Sequence, residues 1–261
     1  MTTVCESRLK RCQEYHLNSL NLSYLSVPVI PSGIKSCSHI THLYLNSISL
    51  VLPPEEVSSC VNLRILSIEN NKLTTLPTSF VKLVHLNSII LNKNPLVFLP
   101  ECISEMKALE KIMASSCEIV SFPNWLVHLC NLQTLCFSNN AISNLPSSFG
   151  HLVNLKWLNL SSNKLESLPA MFQTLQNLCA LFLNNNYFKE IPQFLRKLPN
   201  LGIIEMQYNS INFISDDAIL DFCNVFSLDL RFNPMKELPL HWKGFSHIKI
   251  GDNHPELDCL E

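Results

Sequence analysis

Apolar residues recur along the chain at a fixed step. With Leu63 as position 1, residues 63–83 read L-R-I-L-S-I-E-N-N-K-L-T-T-L-P-T-S-F-V-K-L, and the frame returns from Leu86, Leu109, Leu132, Leu155, Leu178 and Leu201. It also runs back to Ile40 and Leu17, in steps of 23 residues with no insertion, and a tenth unit starts one residue late at Val225. Positions 4 and 6, such as Leu158 and Leu160, alternate with positions 3, 5 and 7, the period of a strand with one face buried. Each unit is therefore expected to hold one short strand.

The second half of the unit carries Leu-Pro at positions 14 and 15, as in Leu76-Pro77, Leu99-Pro100, Leu145-Pro146 and Leu168-Pro169, with an apolar or aromatic residue three further on. Proline fixes φ and suits the first turn of a helix, so this half predicts a short helical or 3₁₀ segment. The rest of each 23-residue unit separates one strand from the next, long enough for a crossover, which requires parallel pairing and winds the chain into a coil with one shared sheet. Position 9 is Asn71, Asn94, Asn140, Asn163, Asn186, Asn209 and Asn233, with Cys117 in the same slot. An amide both donates and accepts, so a buried Asn there can satisfy the backbone of a turn.

These motifs resemble the leucine-rich repeat over residues 17 to about 257. The 23-residue unit with Leu-Pro-x-x-Phe-x-x-Leu is similar to the intracellular class that includes Ras suppressor protein, Scribble, Erbin and the plant Ras-group repeat proteins. The resemblance implies an α/β horseshoe with a parallel concave sheet and short helical or 3₁₀ segments outside. It also implies a scaffold that binds other proteins, often small GTPases or adhesion and polarity components, without chemistry of its own. Residues 1–16 are expected to form a cap or extension, 17–244 ten repeats, and 245–261 a partial repeat and C-terminal cap. Position 9 departs from Asn at Leu25 and Ile48, and Pro53-Pro54 stands in place of Leu-Pro. The unit from Leu201 has Ser215 in place of Pro; Ser215 as an N-cap with Asp216 and Asp217 in the first turn predicts a regular helix there.

The 44 Leu and 27 Asn against 5 Gly express the same repeat. A net charge of −2, with no Lys/Arg block, provides no field for nucleic acid. The first twenty residues lack the unbroken apolar core of a signal peptide, and no run of 18 apolar residues exists to span a membrane. Eleven Cys without paired spacing, and with no cluster apparent at either end, fit reduced thiols; a cytoplasmic, monomeric protein is expected. The Asn-x-Ser sequons at Asn21 and Asn159 fall inside the repeat pattern and read as coincidental.

Candidate chemistry is sparse. The five Gly are too scattered for a phosphate-binding loop, and neither His-Glu-x-x-His nor Cys-x-x-Cys occurs. Cys37-x-His39-x-x-His42 is the nearest approach to a metal cluster, but Cys37 and Cys60 share position 21, a core slot. Cys136 has Lys111, Met113, Trp157 and Asn159 as neighbours at open positions, none of them a general base. Glu205 and Asp229 share position 5 in adjacent units, where hydrated carboxylates are expected to meet a basic partner. No catalytic site, metal or cofactor is expected.

Function is expected at positions 3, 5 and 7, whose side chains leave the sheet and are not needed to build the repeat. Ile65, Ile90, Met113, Cys136, Trp157, Phe182 and Ile203 form an apolar stripe across seven units, of the kind protein interfaces use for anchors. Tyr44 lies before the stripe, and Glu205, Tyr208, Asp229, Arg231 and Phe232 make a charged and aromatic rim beyond it. The expected function is an adaptor that binds a protein on the concave face. The alternative is a regulatory or substrate-recognition subunit of a phosphatase or ubiquitin-ligase complex.

Overall fold

The computed structural model describes residues 2–215, 220–223, 225–235 and 245–251. Among the described residues eleven strands form one open parallel sheet in chain order: β1 (Ser19–Asn21), β2 (His42–Tyr44), β3 (Ile65–Ser67), β4 (Ser88–Ile90), β5 (Lys111–Met113), β6 (Thr134–Cys136), β7 (Trp157–Asn159), β8 (Ala180–Phe182), β9 (Ile203–Glu205), β10 (Ser227–Asp229) and β11 (Ile248–Lys249). From β1 to β10 the strands occupy positions 3 to 5 of their units and pair in register, Leu158 with Leu181 and Leu181 with Ile204. The late start at Val225 is absorbed before β10, which still pairs Ser227 with Ile203. The architecture is a leucine-rich-repeat solenoid, with the sheet on its concave side and short 3₁₀ segments on its convex side.

The 3₁₀ segments run from Ser32–Ser36 to Gln193–Lys197, each five residues at positions 16 to 20. Proline was expected inside the first turn; it stands one residue earlier, as the N-cap. Pro77 is extended (φ −65°, ψ 137°), and its carbonyl accepts from Phe80 N–H at 3.2 Å, closing the turn without needing the proline's missing donor. Pro54 fills the same slot, so Pro53-Pro54 leaves the frame intact. Position 18 then points inward, and Phe149 and Phe172 stack face to face with ring centroids 5.5 Å apart. Between those two turns the backbones close on each other at Gly150. A Cβ there would lie 2.1 Å from the carbonyl oxygen of Met171.

The asparagines at position 9 hold adjacent units together. Asn163 accepts from Ile142 N–H of the preceding unit at 3.0 Å; its NH₂ donates to Phe137 O of that unit at 2.9 Å and to Leu160 O of its own at 3.0 Å. Asn71, Asn94, Asn140, Asn186, Asn209 and Asn233 repeat the arrangement. Asn140 is half-buried rather than buried, yet its amide makes the same bonds. Cys117 keeps only half the function. Its thiol contacts Leu91 O at 3.7 Å but offers no amide oxygen to Leu96 N–H, which turns to Asn94 O at 2.7 Å. Leu25 lies in the first unit, where the neighbour behind it is a helix rather than another turn; at Ile48 the main-chain oxygen takes the role and accepts from Val27 N–H at 3.1 Å.

Position 8, just before each rung, is left-handed throughout: φ is 55° at Asn70, 56° at Lys93, 55° at Asn139, 57° at Asn185 and 55° at Tyr208. Asn tolerates this conformation, whereas other side chains resist it by roughly 1–2 kcal/mol. A second ladder, not anticipated from the sequence, runs along position 23. Asn62, Asn131, Asn154, Asn177 and Asn200 donate to Ser38 O, Lys107 O, Cys130 O, Val153 O and Gln176 O at 2.8 to 3.0 Å.

At the N-terminal edge, α1 (Thr2–Glu14) buries Cys5, Leu9 and Cys12, spaced to share one helix face, against the first unit. Arg8 donates to Asn21 O at 2.7 Å and Gln13 to Gly33 O at 3.0 Å, fastening the helix over β1. The sequence suggested no cysteine cluster at either end; the fold makes one, because α1 brings Cys12 beside Cys37, with Cys60 next to them in the core. The expected helix begun by Ser215, Asp216 and Asp217 depends on residues outside those described, as do residues 252–261 of the expected C-terminal cap.

Two outcomes test this construction. Asn140→Ala should lower stability by about 1–3 kcal/mol in urea titration, and Cys117→Asn, which restores the missing acceptor, should raise it by about 1 kcal/mol. Gly150→Ala should lower the urea midpoint by the equivalent of about 2 kcal/mol or more, because backbone rather than a flexible side chain blocks the new Cβ.

Candidate partner-binding face

The outward positions of the sheet separate into three columns that behave differently. At position 3, Trp157, Ala180 and Ile203 are register neighbours on β7, β8 and β9; at position 5, Asn159, Phe182 and Glu205 follow the same order. Trp157 leans across to Phe182, ring centroids 5.2 Å apart at 46°, a tilted aromatic pair. The side chain of Ala180 between the large residues is small, and it is 7% exposed. Trp157, Phe182 and Ile203 remain half-exposed on strands whose backbones are already paired beneath them. They form one contiguous apolar patch.

Tyr44, Ile65, Ile90 and Met113 are also half-exposed on this face, nearer the N-terminal end. The expected stripe is interrupted between them and the patch. Cys136 is 3% exposed, its sulfur 2.9 Å from Ser115 Oγ and 3.5 Å from Ser138 Oγ, so it belongs to the wall rather than the surface. Position 7 also departs from expectation, since its side chains do help to build the repeat. Asn46 Oδ1 accepts from Glu69 N–H at 2.8 Å, Asn92 Oδ1 from Ser115 N–H at 2.8 Å, and Ser161 donates to Asn184 at 2.6 Å. This column is a hydrogen-bonded border. The sequon asparagines behave similarly: the Oδ1 atoms of Asn21 and Asn159 accept from the backbone N–H of Ser23 and Ser161, both at 2.9 Å.

Of the rim residues, Asp229 does not stay hydrated to await a basic partner. It is 4% exposed and is gripped by Arg231 from the turn that follows β10, Nη2 to Oδ2 at 2.7 Å and Nε to Oδ1 at 3.0 Å. Only two residues along the chain separate them, so the fork forms locally. Glu205, half-buried one strand away, makes no such bond with any described residue. Tyr208, half-exposed, stacks on Phe232 with centroids 4.4 Å apart and planes 6° from parallel. Both occupy left-handed turns that disfavour aromatic side chains. The sequence marked both residues, but not their stacking.

The remaining candidates lie in the core or the edges. Cys37 and Cys60 are fully buried, as position 21 requires. Among the described residues no group of three His, Cys, Asp or Glu side chains is placed to hold a metal ion, and no helix is long and apolar enough to cross a membrane. The ten described cysteines are free. Burial pushes the Cys60 thiol up to about 12, with Cys37 and Cys12 reinforcing it, and burial beside Cys37 pushes Cys12 up to about 11.

A leucine-rich-repeat family profile matches residues 61–119 and 120–165. No curated protein matches the chain. Among solved structures, a leucine-rich-repeat protein of Leptospira interrogans superposes with a TM-score of 0.80 at 23% identity, covering 93% of this chain and 68% of that one. The leucine-rich-repeat ectodomain of the Arabidopsis thaliana membrane receptor kinase GASSHO1/SCHENGEN3, solved in complex with CASPARIAN STRIP INTEGRITY FACTOR 2, gives 0.75 at 27% identity. That match covers 89% of this chain and 29% of the receptor chain. The likeness supports a leucine-rich-repeat protein, a class that generally mediates protein–protein interaction.

The buried thiols have a consequence that can be measured. In the unfolded chain a cysteine ionises near its usual value of 9.0, whereas folded Cys60 holds its proton to about 12. Stability should therefore be intact below about pH 9 and fall as the pH rises towards 12, by up to about 1.4 kcal/mol per pH unit for each such thiol. Urea titrations from pH 8 to 11 should show this decline, and Cys60→Ala should make it shallower even if its starting stability is lower.

Proposed function

We propose that this chain is a non-enzymatic adaptor that docks a protein partner on its concave sheet. The observation that supports it best is the patch of Trp157, Phe182 and Ile203, three large apolar side chains at positions free of the repeat's own bonding. Aromatic anchors held on rigid strands bring large contact area at little entropy cost, as interface hot spots do. Tyr44, Ile65, Ile90 and Met113 extend the contact towards β2, and Glu205, Tyr208 and Arg231, with Asp229 bracing the arginine, border it at the other end. In the finer reading the adaptor is cytoplasmic and monomeric alone, and it serves small-GTPase or adhesion and polarity signalling. Its ten described cysteines as free thiols suit a reducing compartment.

A second reading, a subunit of a phosphatase or ubiquitin-ligase complex, draws on a different surface. An open cleft of about 470 Å³ on the edge away from the patch is lined by Phe98, Leu99, Phe122, Trp125 and Leu145, with Phe98 55% exposed. Such a subunit would hold its complex there and present the sheet to a substrate.

Affinity capture with the wild-type chain, identification of the captured proteins and calorimetry with the purified partner test the first reading. Trp157→Ala/Phe182→Ala should melt within about 1–2 kcal/mol of wild type, yet bind at least about 100-fold more weakly. Lys164→Ala, exposed at position 10 and away from the face, should bind like wild type. Retained affinity in the double variant rejects the concave site and favours the edge cleft.

A further inference from the structure

We propose that Glu205 tunes the concave patch to a protein segment that sets an arginine or lysine beside an aromatic or aliphatic side chain. This rests on the reading of the concave sheet as the docking face. Register places Glu205 directly opposite Phe182, one strand or about 4.8 Å away, and on the same face of β9 as Ile203. Glu205 is half-buried between Phe182 on one side and Asp229 on the other, and its carboxylate makes no hydrogen bond or ion pair with any described residue.

The adjacent strand shows how the chain treats an acid it neutralises for itself. Asp229, in register with Glu205, is clasped by Arg231 two residues further on. No equivalent is built for Glu205, where position 7 of the same unit is Gln207. The other described cations on the sheet are out of reach. Lys249 stands beyond Asp229, two strands or about 10 Å off, and Lys111 is four strands or about 19 Å away in the other direction. The missing counter-charge is thus one that a partner can bring.

Glu205 and Phe182 together define the chemistry of that charge. A cation seated over the Phe182 ring meets an aromatic face below and a carboxylate at the side, two attractions that favour the same group. Guanidinium fits this best, because its plane stacks on a ring while its edge donates to an acid. The residue next to it on the partner would lie against Trp157 and Ile203, where apolar contact is available. An acidic segment would meet repulsion at Glu205, and an uncharged one would leave the carboxylate less hydrated and still unpaired.

Selection of random dodecapeptides on the immobilised full chain, followed by fluorescence anisotropy with the enriched peptides made synthetically, tests this. Enriched sequences should carry Arg or Lys within two residues of a large apolar side chain. Glu205→Gln should weaken them about 5-fold and Glu205→Lys about 30-fold or more, with a flatter salt dependence in both, while thermal melts stay close to wild type. Peptides that need Trp157 and Phe182 but bind Glu205→Lys as tightly as wild type overturn the role of Glu205 and leave the concave reading standing. Peptides indifferent to Trp157→Ala/Phe182→Ala overturn both, and a selection that enriches no sequence overturns the proposal.

Discussion

A turn that leaves the sheet and plunges into the core strands main-chain donors and acceptors where water cannot follow, and the molecule meets that cost with one side-chain amide per unit. The amide has to serve two turns simultaneously, accepting from the unit behind and donating to both, as Asn163 does with Ile142, Phe137 and Leu160. Only a group with donors and an acceptor at fixed spacing can do this. The left-handed residue before each rung aims the amide, and the constant 23-residue step keeps successive rungs aligned. Parallel pairing of β1 to β10 and the stacked phenylalanines of the convex turns are compatible with that step and add to it. Where Cys117 replaces the amide, the array continues because its neighbours on both sides are complete.

Much of this is legible in the sequence because the same chemistry is demanded many times over. Leu at positions 4 and 6, Asn at 9 and Pro at 15 appear in enough units for the strand, the turn and the convex segment to be placed to within a residue. Contacts made once are harder to see. Cys37 and Cys60 are neighbours through their shared position 21 in adjacent units, but only the docking of α1 brings Cys12 beside them. The position 23 ladder was visible as Asn preceding Leu at Asn62, Asn131, Asn154, Asn177 and Asn200, but His39, His85 and Ala108 break the column and obscure it.

Positions 3 and 5 carry the half-exposed side chains of the face, with Ser67, Cys136, Ala180 and Asp229 buried among them, and position 7 departs from the expectation altogether. Alternation along a strand predicts direction, yet it does not say whether an outward polar group will turn sideways to bond the next strand. Asn46, Asn92 and Asn184 do so, being short enough to reach their neighbours and unable to reach solvent partners without losing those bonds. Asp229 and Arg231 carry their own signal, since opposite charges two residues apart are close enough to meet. Trp157 and Phe182 are different in kind. Nothing in the scaffold requires their size, and Asn159 and Ala180 alongside them show that smaller side chains fit the same strands.

Because every position 9 amide accepts from the unit behind it and never from the unit ahead, the solenoid has a direction, as a zip fastener does. Peeling away a later unit removes the acceptor from the turn before it and leaves a main-chain donor that newly admitted water must satisfy. Peeling away the earliest one instead frees the main-chain oxygen of Ile48, which had accepted from Val27 N–H. The two ends therefore open on groups of opposite kind, a donor at one and an acceptor at the other, and the helix over β1 covers the acceptor end.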